Sequence, residues 1–440
     1  MVLLRPDPGP RSYIQAKAIA AFPTVADVAA STPPERDRAI DVIRITALLA
    51  VVIGHTVMAT SIVRDGVFYW ENLLTTSVVF QALTWVFQIM PLFFFAGVAA
   101  SVTACGGAWG GWLLKRCTRL YRPVFSYLAF WAVALLVAHR LLPVHVYEPL
   151  AGISIQLLWF LGAYVLVLAA VPLLIRISTT GRLVAAVAAL YTSVAVVDMI
   201  RVQDPSLNWL GYANLAVWLV PGMFGVAYRY RLLSTSGAAI LGTVMLAVNL
   251  ALVRFGPYEP SLVGIDGQQL KNMAPPSLLL AGHAIMMCAF AIAAAPAIGR
   301  WARRPRVWWL TAVGNSGAMT LYLWHIPALL GVHLAFDLMG LPRYPGQPHF
   351  LALSVVQLVV MAVLVAALFV ALRPLENNPL PYWDGGTVSG PGTRSAAVGA
   401  LLCVAGAATL ASVGWGLKGF GLYFVALMLA ALVGARSLAR

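Results

Sequence analysis

The sequence contains few charged residues, and acidic residues are the scarcer kind. Only 10% of its 440 residues are charged, with 15 Asp and Glu against 29 Lys and Arg, while 61% are hydrophobic. Apolar runs of about 20 residues recur along the chain, each long enough to cross a hydrocarbon core about 30 Å thick. These runs are continuous, whereas the strands of a membrane barrel would show alternation. The sequence therefore predicts an all-α fold, a polytopic transmembrane helical bundle.

Patterns that would indicate other classes of site are missing. The sequence has no Gly-x-Ser-x-Gly elbow, no phosphate-binding Gly-x-x-x-x-Gly-Lys-Ser/Thr loop, no His-Glu-x-x-His zinc motif and no paired carboxylates inside the apolar runs. The net charge of +14 is spread between apolar runs rather than on a soluble basic block, so we expect no nucleic-acid partner. The cysteines have no metal-like spacing, and we expect neither a disulfide nor a bound metal at Cys105, Cys117, Cys288 or Cys403.

Twelve apolar runs are predicted to span the membrane. They cover roughly 40–61, 79–101, 120–139, 155–175, 183–200, 209–229, 237–255, 277–298, 308–336, 350–372, 396–415 and 417–435. The ninth run is over-long, which predicts a tilted helix or a break near Gly314 or Pro327. Residues 1–35 are rich in Pro, Ala and charge and lack the apolar core of a signal peptide, so we predict a disordered cytoplasmic tail.

The distribution of charge predicts the orientation in the cell membrane. With the N-terminus in the cytoplasm, 21 of the 29 Lys and Arg residues fall on the cytoplasmic side and 7 on the outer side. Both termini are then cytoplasmic, and inner-leaflet lipids are sufficient partners for the basic residues. The same topology puts every histidine toward the outer side: His55, His139, His145, His283, His325, His333 and His349. This separation favours an anionic ligand entering from inside and acid–base chemistry toward the outside.

The first predicted span carries two ionisable side chains, Arg44 and His55. Placing Arg in hydrocarbon costs about 2.5–3.5 kcal/mol even on insertion scales, so such residues indicate a functional site by default. Eleven positions bring the two side chains to within about 20° of one helical face and about 16 Å apart along the axis. A guanidinium suits phosphate or carboxylate, and a neutral imidazole suits proton abstraction. Alternatively, Arg44 reaches the headgroups and His55 only packs. Asp41, one turn before Arg44, is predicted to orient it.

Two further segments carry candidate residues. In Met90–Ser101, Pro91 is predicted to kink the helix and Gly97 to permit close helix approach, although packing alone also explains both.

In the run KRCTRLYRPVF, which we place just before the third span, Arg116, Arg119 and Arg122 repeat at a spacing of three on one helical face. Planar guanidinium groups bind phosphate bidentately, and the alternative is a cluster that only sets topology and faces lipid.

The ninth run contains a fourth segment of interest, VGNSGAMTLYLWHIPAL. It places Ser316, Tyr322 and His325 in a span where polar groups are rare. His325 is interpreted either as a packing residue or as a residue that supports His55 or binds an acceptor.

Together these segments resemble the membrane-bound acyltransferase 3 family. The resemblance rests on Asp-x-x-Arg followed after ten residues by His, on Pro-Leu-Phe-Phe-Phe-x-Gly, on the basic run, and on Gly-x-Ser followed by Tyr-Leu-x-His. It covers about 36–372, with Ala96 where the family commonly has Ser. It implies a ten-helix acyltransferase core, to which the sequence adds a cytoplasmic loop at 373–395 and a helical hairpin at 396–440.

The resemblance implies an integral membrane O-acyltransferase. Its donor substrate would be acyl-coenzyme A, and its acceptor a hydroxyl of a sugar, glycan or glycolipid; no cofactor or metal is expected to be bound. Carried onto this sequence, the candidate catalytic residues are His55 as general base and His325. The donor would be held by Arg44, Arg116, Arg119 and Arg122, with Asp41, Ser316 and Tyr322 in support. The alternative function is a secondary transporter or lipid-linked sugar translocator, although 1–220 and 221–440 do not read as repeated halves.

Overall fold

The protein is helical almost throughout, which confirms the predicted all-α bundle. The computed structural model describes residues 22–104, 107–265, 268 and 270–439. The helices are α1 Val25–Ser31, α2 Arg38–Met58, α3 Val78–Phe87, α4 Met90–Ala99, α5 Trp109–Leu141, α6 Val144–Ile153, α7 Leu158–Ala169, α8 Val171–Leu174, α9 Thr180–Gln203, α10 Leu219–Arg229, α11 Thr235–Phe255, α12 Leu278–Trp301, α13 Pro305–Ser316, α14 Ala318–Leu338, α15 Phe350–Asn377, α16 Thr393–Ser412 and α17 Phe420–Ser437. A 3₁₀ segment, Pro205–Trp218, precedes α10.

Twelve candidate spans are found among the described residues, in the order that the sequence predicted. Side-chain caps begin several of them: the carboxylate of Asp37 accepts from the amide of Ile40 at the start of α2, and Ser277 accepts from the amide of Leu280 in α12. The buried apolar side chains of the two interior spans, α2 and α12, face the neighbouring helices. The bundle therefore follows from long apolar runs that are punctuated by polar caps.

A β-hairpin follows the first span, and the sequence analysis did not foresee it. Strand β1, Ala59–Arg64, pairs antiparallel with β2, Val67–Asn72, so α2 ends three residues earlier than predicted. The turn residues Asp65 and Gly66 have positive φ angles of 51° and 77°. Asp-Gly between runs of β-branched and aromatic residues is a strong short-range hairpin signal, because the turn needs two left-handed residues.

The second span and the ninth apolar run are each broken inside the bundle. The second span breaks at Gln88–Ile89, and Pro91 lies in the first turn of α4, which begins at Met90. The ninth run breaks between Ser316 and Ala318, and this confirms the predicted break near Gly314. The two breaks leave short helices whose ends lie within the bundle and provide backbone groups for polar contacts there.

The basic run lies inside a helix, so its predicted position before the third span is wrong. Helix α5 begins at Trp109, so the whole run, including Pro123, lies inside the helix. The helix extends through the run because Leu113, Cys117 and Tyr121 form a buried stripe at helical spacing on the face that packs into the core. The arginines consequently project from the middle of a packed helix.

The predicted disorder of the N-terminal tail is wrong for the part that the structure describes. Thr24 starts α1 with a reciprocal capping box to Asp27. The indole of Trp308 donates to the Thr32 hydroxyl at 2.7 Å, and that of Trp309 donates to the Pro23 carbonyl at 2.7 Å. Residues 22–35 are therefore fixed against α13, while the rest of the predicted tail, 1–21, lies outside the described residues.

The two C-terminal helices pack tightly on the core. A Cβ atom added to Gly162 of α7 would lie 2.6 Å from the carbonyl oxygen of Gly406 in α16. The amide of Gly110 in α5 donates to the Ser395 hydroxyl at 2.9 Å. Helix α16 therefore supports α5, which carries the basic run. Cys117, Cys288 and Cys403 are free thiols in the described part, and Cys105 lies outside it.

Candidate active site

Two histidines from different spans meet inside the bundle. Nδ1 of His55 on α2 lies 2.9 Å from Nε2 of His325 on α14, and the two rings stack with centroids 5.2 Å apart. They are 270 residues apart in sequence. The sequence nominated each residue separately, and the structure brings them into direct hydrogen-bond contact.

The hydrogen bonds around the pair assign a role to each ring nitrogen. Nδ1 of His325 lies 3.1 Å from the carbonyl oxygen of Leu321, which can only accept, so that nitrogen carries the proton. In a neutral ring, Nε2 of His325 is then an acceptor, and Nδ1 of His55 must donate to it. Nε2 of His55 is left with a free lone pair, the form that a general base requires.

The two histidines differ in exposure, and a tyrosine fixes the helix that carries His325. His325 is 1% exposed, whereas the His55 side chain is exposed. The hydroxyl of Tyr322 donates to the Leu157 carbonyl oxygen at 2.8 Å and ties α14 to the segment that leads into α7. Tyr322 therefore supports the site by fixing the helix that carries His325, while its own hydroxyl is engaged with the backbone.

His55 lies on a different side of α2 from the residues that line a surface groove. Leu49, 45% exposed, lines an apolar groove of about 420 Å³ together with Met361 and Phe369 of α15. His55 lies six positions after Leu49, about 120° around the helix. Arg44, about 20° from His55, interacts electrostatically with the buried Tyr164 of α7. The face that carries Arg44 and His55 is therefore turned toward the interior of the bundle.

Arg44 is oriented by an asparagine on the broken ninth span. Its Nε donates to Oδ1 of Asn315 at 2.8 Å, and Nδ2 of Asn315 donates to the carbonyl oxygens of Asp41 and Thr311 at 2.9 Å each. The terminal nitrogens of Arg44 make no hydrogen bond within the described ranges. Asn315 was missed as the residue that positions Arg44, although an amide inside an apolar span is itself a signal.

Asp41 does not orient Arg44, and that prediction is wrong. Its carboxylate forms a two-point contact with Arg36, at 2.5 and 2.8 Å. By accepting these hydrogen bonds, the Asp41 carboxylate raises the pKa of Arg36. Asp41 therefore belongs to the contact between the N-terminal segment and α2. Among the residues that the structure describes, it is linked to Arg44 through its carbonyl oxygen, which holds Asn315.

The basic run supplies two further cations beside Arg44. Arg119 is exposed, makes no hydrogen bond or ion pair with any residue that the structure describes, and lies within electrostatic range of Arg44, Arg116 and Glu376. Arg116 donates one long hydrogen bond, of 3.4 Å, to the Ala100 carbonyl oxygen. We name Arg44, Arg116 and Arg119 the basic cluster. Its members keep guanidinium nitrogens available for an anion.

Arg122 is not available in the same way. Its Nη1 donates to the carbonyl oxygens of Glu376 and Asn377 at 2.9 and 3.0 Å, and its Nη2 forms an ion pair with Asp384. The side chain is 8% exposed. Arg122 therefore joins α5 to the end of α15, and its predicted place among the anion-binding residues is corrected.

Glu376 was missed by the sequence analysis, and it connects the basic cluster to the histidine pair. Its carboxylate accepts from the Thr320 amide at 2.8 Å, from the Thr320 hydroxyl at 2.9 Å and from the Met319 amide at 3.4 Å. It thus caps the N-terminus of α14, the helix that carries His325. The sequence did not indicate this role for Glu376, because the residue lies at the far end of α15 and is distant in sequence from the start of α14.

The remaining predicted residues have structural contacts. The Ser316 hydroxyl donates to the Val313 carbonyl oxygen of its own helix at 2.6 Å, and the Ser316 carbonyl accepts from Asn377 at 2.8 Å. Ser316 therefore shapes the break before α14. Gly97 permits the predicted close approach, since a Cβ atom there would lie 2.2 Å from the Tyr164 hydroxyl.

A bundle of membrane-spanning helices that carries an imidazole with a free lone pair and unused guanidinium groups on one interior face is suited to group transfer. The family model described as an acyltransferase domain matches residues 37–372, most of the chain, so this protein belongs to the acyltransferase 3 family and is an acyltransferase. The matched range agrees with the range of about 36–372 that the motifs predicted. No curated protein matches the chain. No solved structure matches it either.

Proposed function

We propose that the protein transfers an acyl group from acyl-coenzyme A to a hydroxyl of a sugar or glycan-type acceptor. The basic cluster binds the phosphates of the donor, and the thioester reaches toward the histidine pair along the interior face of α2. Eleven residues separate Arg44 from His55, a rise of about 16 Å. An extended donor arm of the coenzyme A type bridges such a gap, whereas a small phosphorylated molecule does not.

The reaction follows from the free nitrogen of His55. Its Nε2 takes the proton of the acceptor hydroxyl while the oxygen attacks the thioester carbonyl. The carbon–sulfur bond then breaks, the proton passes from His55 to the departing thiolate, and the products are an ester and a thiol. His325 keeps Nδ1 of His55 engaged as a donor and so holds the ring in the reactive tautomer.

The observation that carries the proposal is the contact between Nδ1 of His55 and Nε2 of His325 at 2.9 Å. A packing histidine needs only a satisfied nitrogen, but this pair leaves one nitrogen unprotonated on the exposed His55 side chain. The basic cluster beside the capped end of α14 supports an anionic donor. We place that cluster on the cytoplasmic side, where the positive-inside rule puts the basic residues, with both termini cytoplasmic.

The test is thioester turnover by the purified full-length protein in lipid nanodiscs. Radiolabelled acetyl-coenzyme A is supplied with methyl glycosides, and both free thiol and labelled ester are measured. We expect His55→Ala to lower kcat by about 10²–10⁴-fold, the usual contribution of a general base.

The matched control is His283→Ala. Like His325, His283 is buried and bonded to a backbone carbonyl, that of Gln88 at 2.9 Å, but it is not part of the pair. This variant should keep turnover near the wild-type rate. Equal rates for His55→Ala and wild type, with both folded, would remove His55 from the mechanism. A wild-type protein that forms no ester with any glycoside would contradict the proposed acceptor class.

A further inference from the structure

A second polar cluster lies beneath the β-hairpin. The hydroxyl of Ser61 on β1 donates to Oδ2 of Asp337 at 2.8 Å and lies 2.9 Å from Nδ1 of His333. Ser61 and His333 are both 0% exposed. His333 follows His325 by eight residues on α14, a rise of about 12 Å toward the hairpin. The cluster therefore lies beyond the histidine pair, between the continuations of the same two chain segments.

The hydrogen bonds leave two acceptor atoms unused. Ser61 has one hydroxyl proton, and it goes to the carboxylate, so its oxygen must accept from Nδ1–H of His333. In the neutral ring, Nε2 of His333 then carries a lone pair. That nitrogen and Oδ1 of Asp337 are buried and have no hydrogen-bond partner among the residues that the structure describes. Buried acceptors that stay unsatisfied are costly, so we expect these two atoms to be met by water or by a ligand with O–H donors.

An aromatic ring covers the cluster. Trp70 stands directly across the hairpin from Ser61, so both side chains share one face of the two-stranded sheet. The Trp70 ring meets the His333 ring edge-on, with centroids 5.0 Å apart and planes at 81°. Trp70 and Asp337 are each partly exposed. The cluster therefore lies one side chain below the surface, directly beneath the Trp70 ring.

We propose that His333, Asp337 and Trp70 form a subsite that binds the acceptor through hydroxyls other than the reacting one. This proposal rests on the proposed function. Two unused acceptors, with His333 about 12 Å beyond His325 along α14, call for a ligand with several O–H donors. An indole combines a broad apolar face with a polar edge, which matches the C–H face of a sugar ring. The ligand class is thus a polyhydroxylated molecule of more than one ring, with Ser61 positioning the two acceptor side chains.

The first test compares acceptors with many hydroxyls and with one. Initial rates of acetyl transfer to methyl maltoside and to 1-propanol are measured in nanodiscs. We expect His333→Ala and Asp337→Asn to raise KM for methyl maltoside about tenfold and to leave kcat/KM for 1-propanol unchanged, because 1-propanol needs only the base. Asp337→Asn keeps the shape of the side chain and guards against misfolding.

The matched control is again His283→Ala, because His283 is fully buried and its Nδ1 also has no partner in the described part of the chain. Its described hydrogen bond is to a backbone carbonyl, with no carboxylate beside it. The ratio of the two acceptor rates should not change in this variant. The same ratio in His333→Ala and Asp337→Asn as in wild type would mean that water alone fills the cluster, and would overturn the subsite.

The second test needs no donor. Diethyl pyrocarbonate modifies unprotonated imidazole nitrogens, and peptide mass spectrometry follows His333 separately from the exposed His349. Methyl maltoside at twice its dissociation constant should slow modification of His333 about threefold and leave His349 unaffected. Absence of protection overturns the subsite, even where ester is formed. Protection of His333 in a protein that forms no ester supports the subsite and counts against acyl transfer alone.

Discussion

The interior face of α2 has the basic cluster at one end and the polar cluster beneath the hairpin at the other. The two ends carry different kinds of unused hydrogen-bonding group. At one end, Arg44 and Arg119 keep guanidinium donors without partners in the described chain. Beneath the hairpin, His333 and Asp337 keep buried acceptors. Donors with positive charge select anions, and neutral or negative acceptors select hydroxyls. The contrast suggests that each substrate is recognised by the end that complements it, with His55 between them.

The sharpest test of what lies between the two ends is replacement of His325. His325→Phe keeps a ring against His55 but removes the acceptor at 2.9 Å, so the tautomer of His55 is no longer fixed. We expect kcat to fall about 10²-fold, the lower bound of what a correctly placed base contributes, while KM for either substrate changes little. His325→Gln offers an amide oxygen and should retain more activity. Equal kcat for the two variants would show that His325 only packs.

The next test separates the free cations from the engaged one. Arg44→Ala removes unused guanidinium nitrogens and should raise KM for acetyl-coenzyme A about 10- to 100-fold, from the loss of about 1.5–3 kcal/mol of charged hydrogen bonding. Arg122→Ala breaks contacts with Glu376, Asn377 and Asp384, and should lower the melting temperature of the folded protein instead.

The two readouts are initial rates over a donor titration and thermal unfolding in detergent. KM for 1-propanol serves as the internal control, because the acceptor does not meet the arginines. An unchanged donor KM in Arg44→Ala would contradict the assignment of this end to the anionic substrate.

The sequence predicted the bundle and part of the site because apolar length and helical spacing are local properties. The order of the twelve spans and the shared face of Arg44 and His55 needed only residues that are close along the chain. The caps and partners that finish the site are not local. Asn315 reaches Arg44 from 271 residues away, and Glu376 reaches the start of α14 from the end of another helix.

Where local signals were available, they were not always sufficient. Arg119 and Arg122 are alike in sequence, yet one is exposed and the other is tied to Asp384, a difference set by the loop after α15. Asp65-Gly66 was a readable turn signal that a search for apolar runs passes over.

A smaller effect is expected at the cap that links the basic cluster to α14. Glu376→Ala leaves the Thr320 and Met319 amides without their partner and should lower the free energy of unfolding by about 1–2 kcal/mol. Glu376→Gln keeps an amide oxygen and should lose less. The control is Glu148→Ala, which removes an exposed ion pair with Lys418 and should cost under about 1 kcal/mol. Equal melting temperatures for Glu376→Ala and Glu148→Ala would show that the cap contributes nothing.

The smallest effect tests whether the hairpin serves only the acceptor. Gly66 has a φ of 77°, and an added Cβ would lie 3.3 Å from Nε2 of His145, so Gly66→Ala should destabilise the turn by about 1–2 kcal/mol. Because the turn sets the register that places Trp70 opposite Ser61, KM for methyl maltoside should rise a few-fold and KM for acetyl-coenzyme A should not. Asp65→Asn is the control, since Asn tolerates the left-handed conformation. Equal changes in both KM values would mean that the strained turn alters the binding of both substrates. The two ends would then not bind the donor and the acceptor separately.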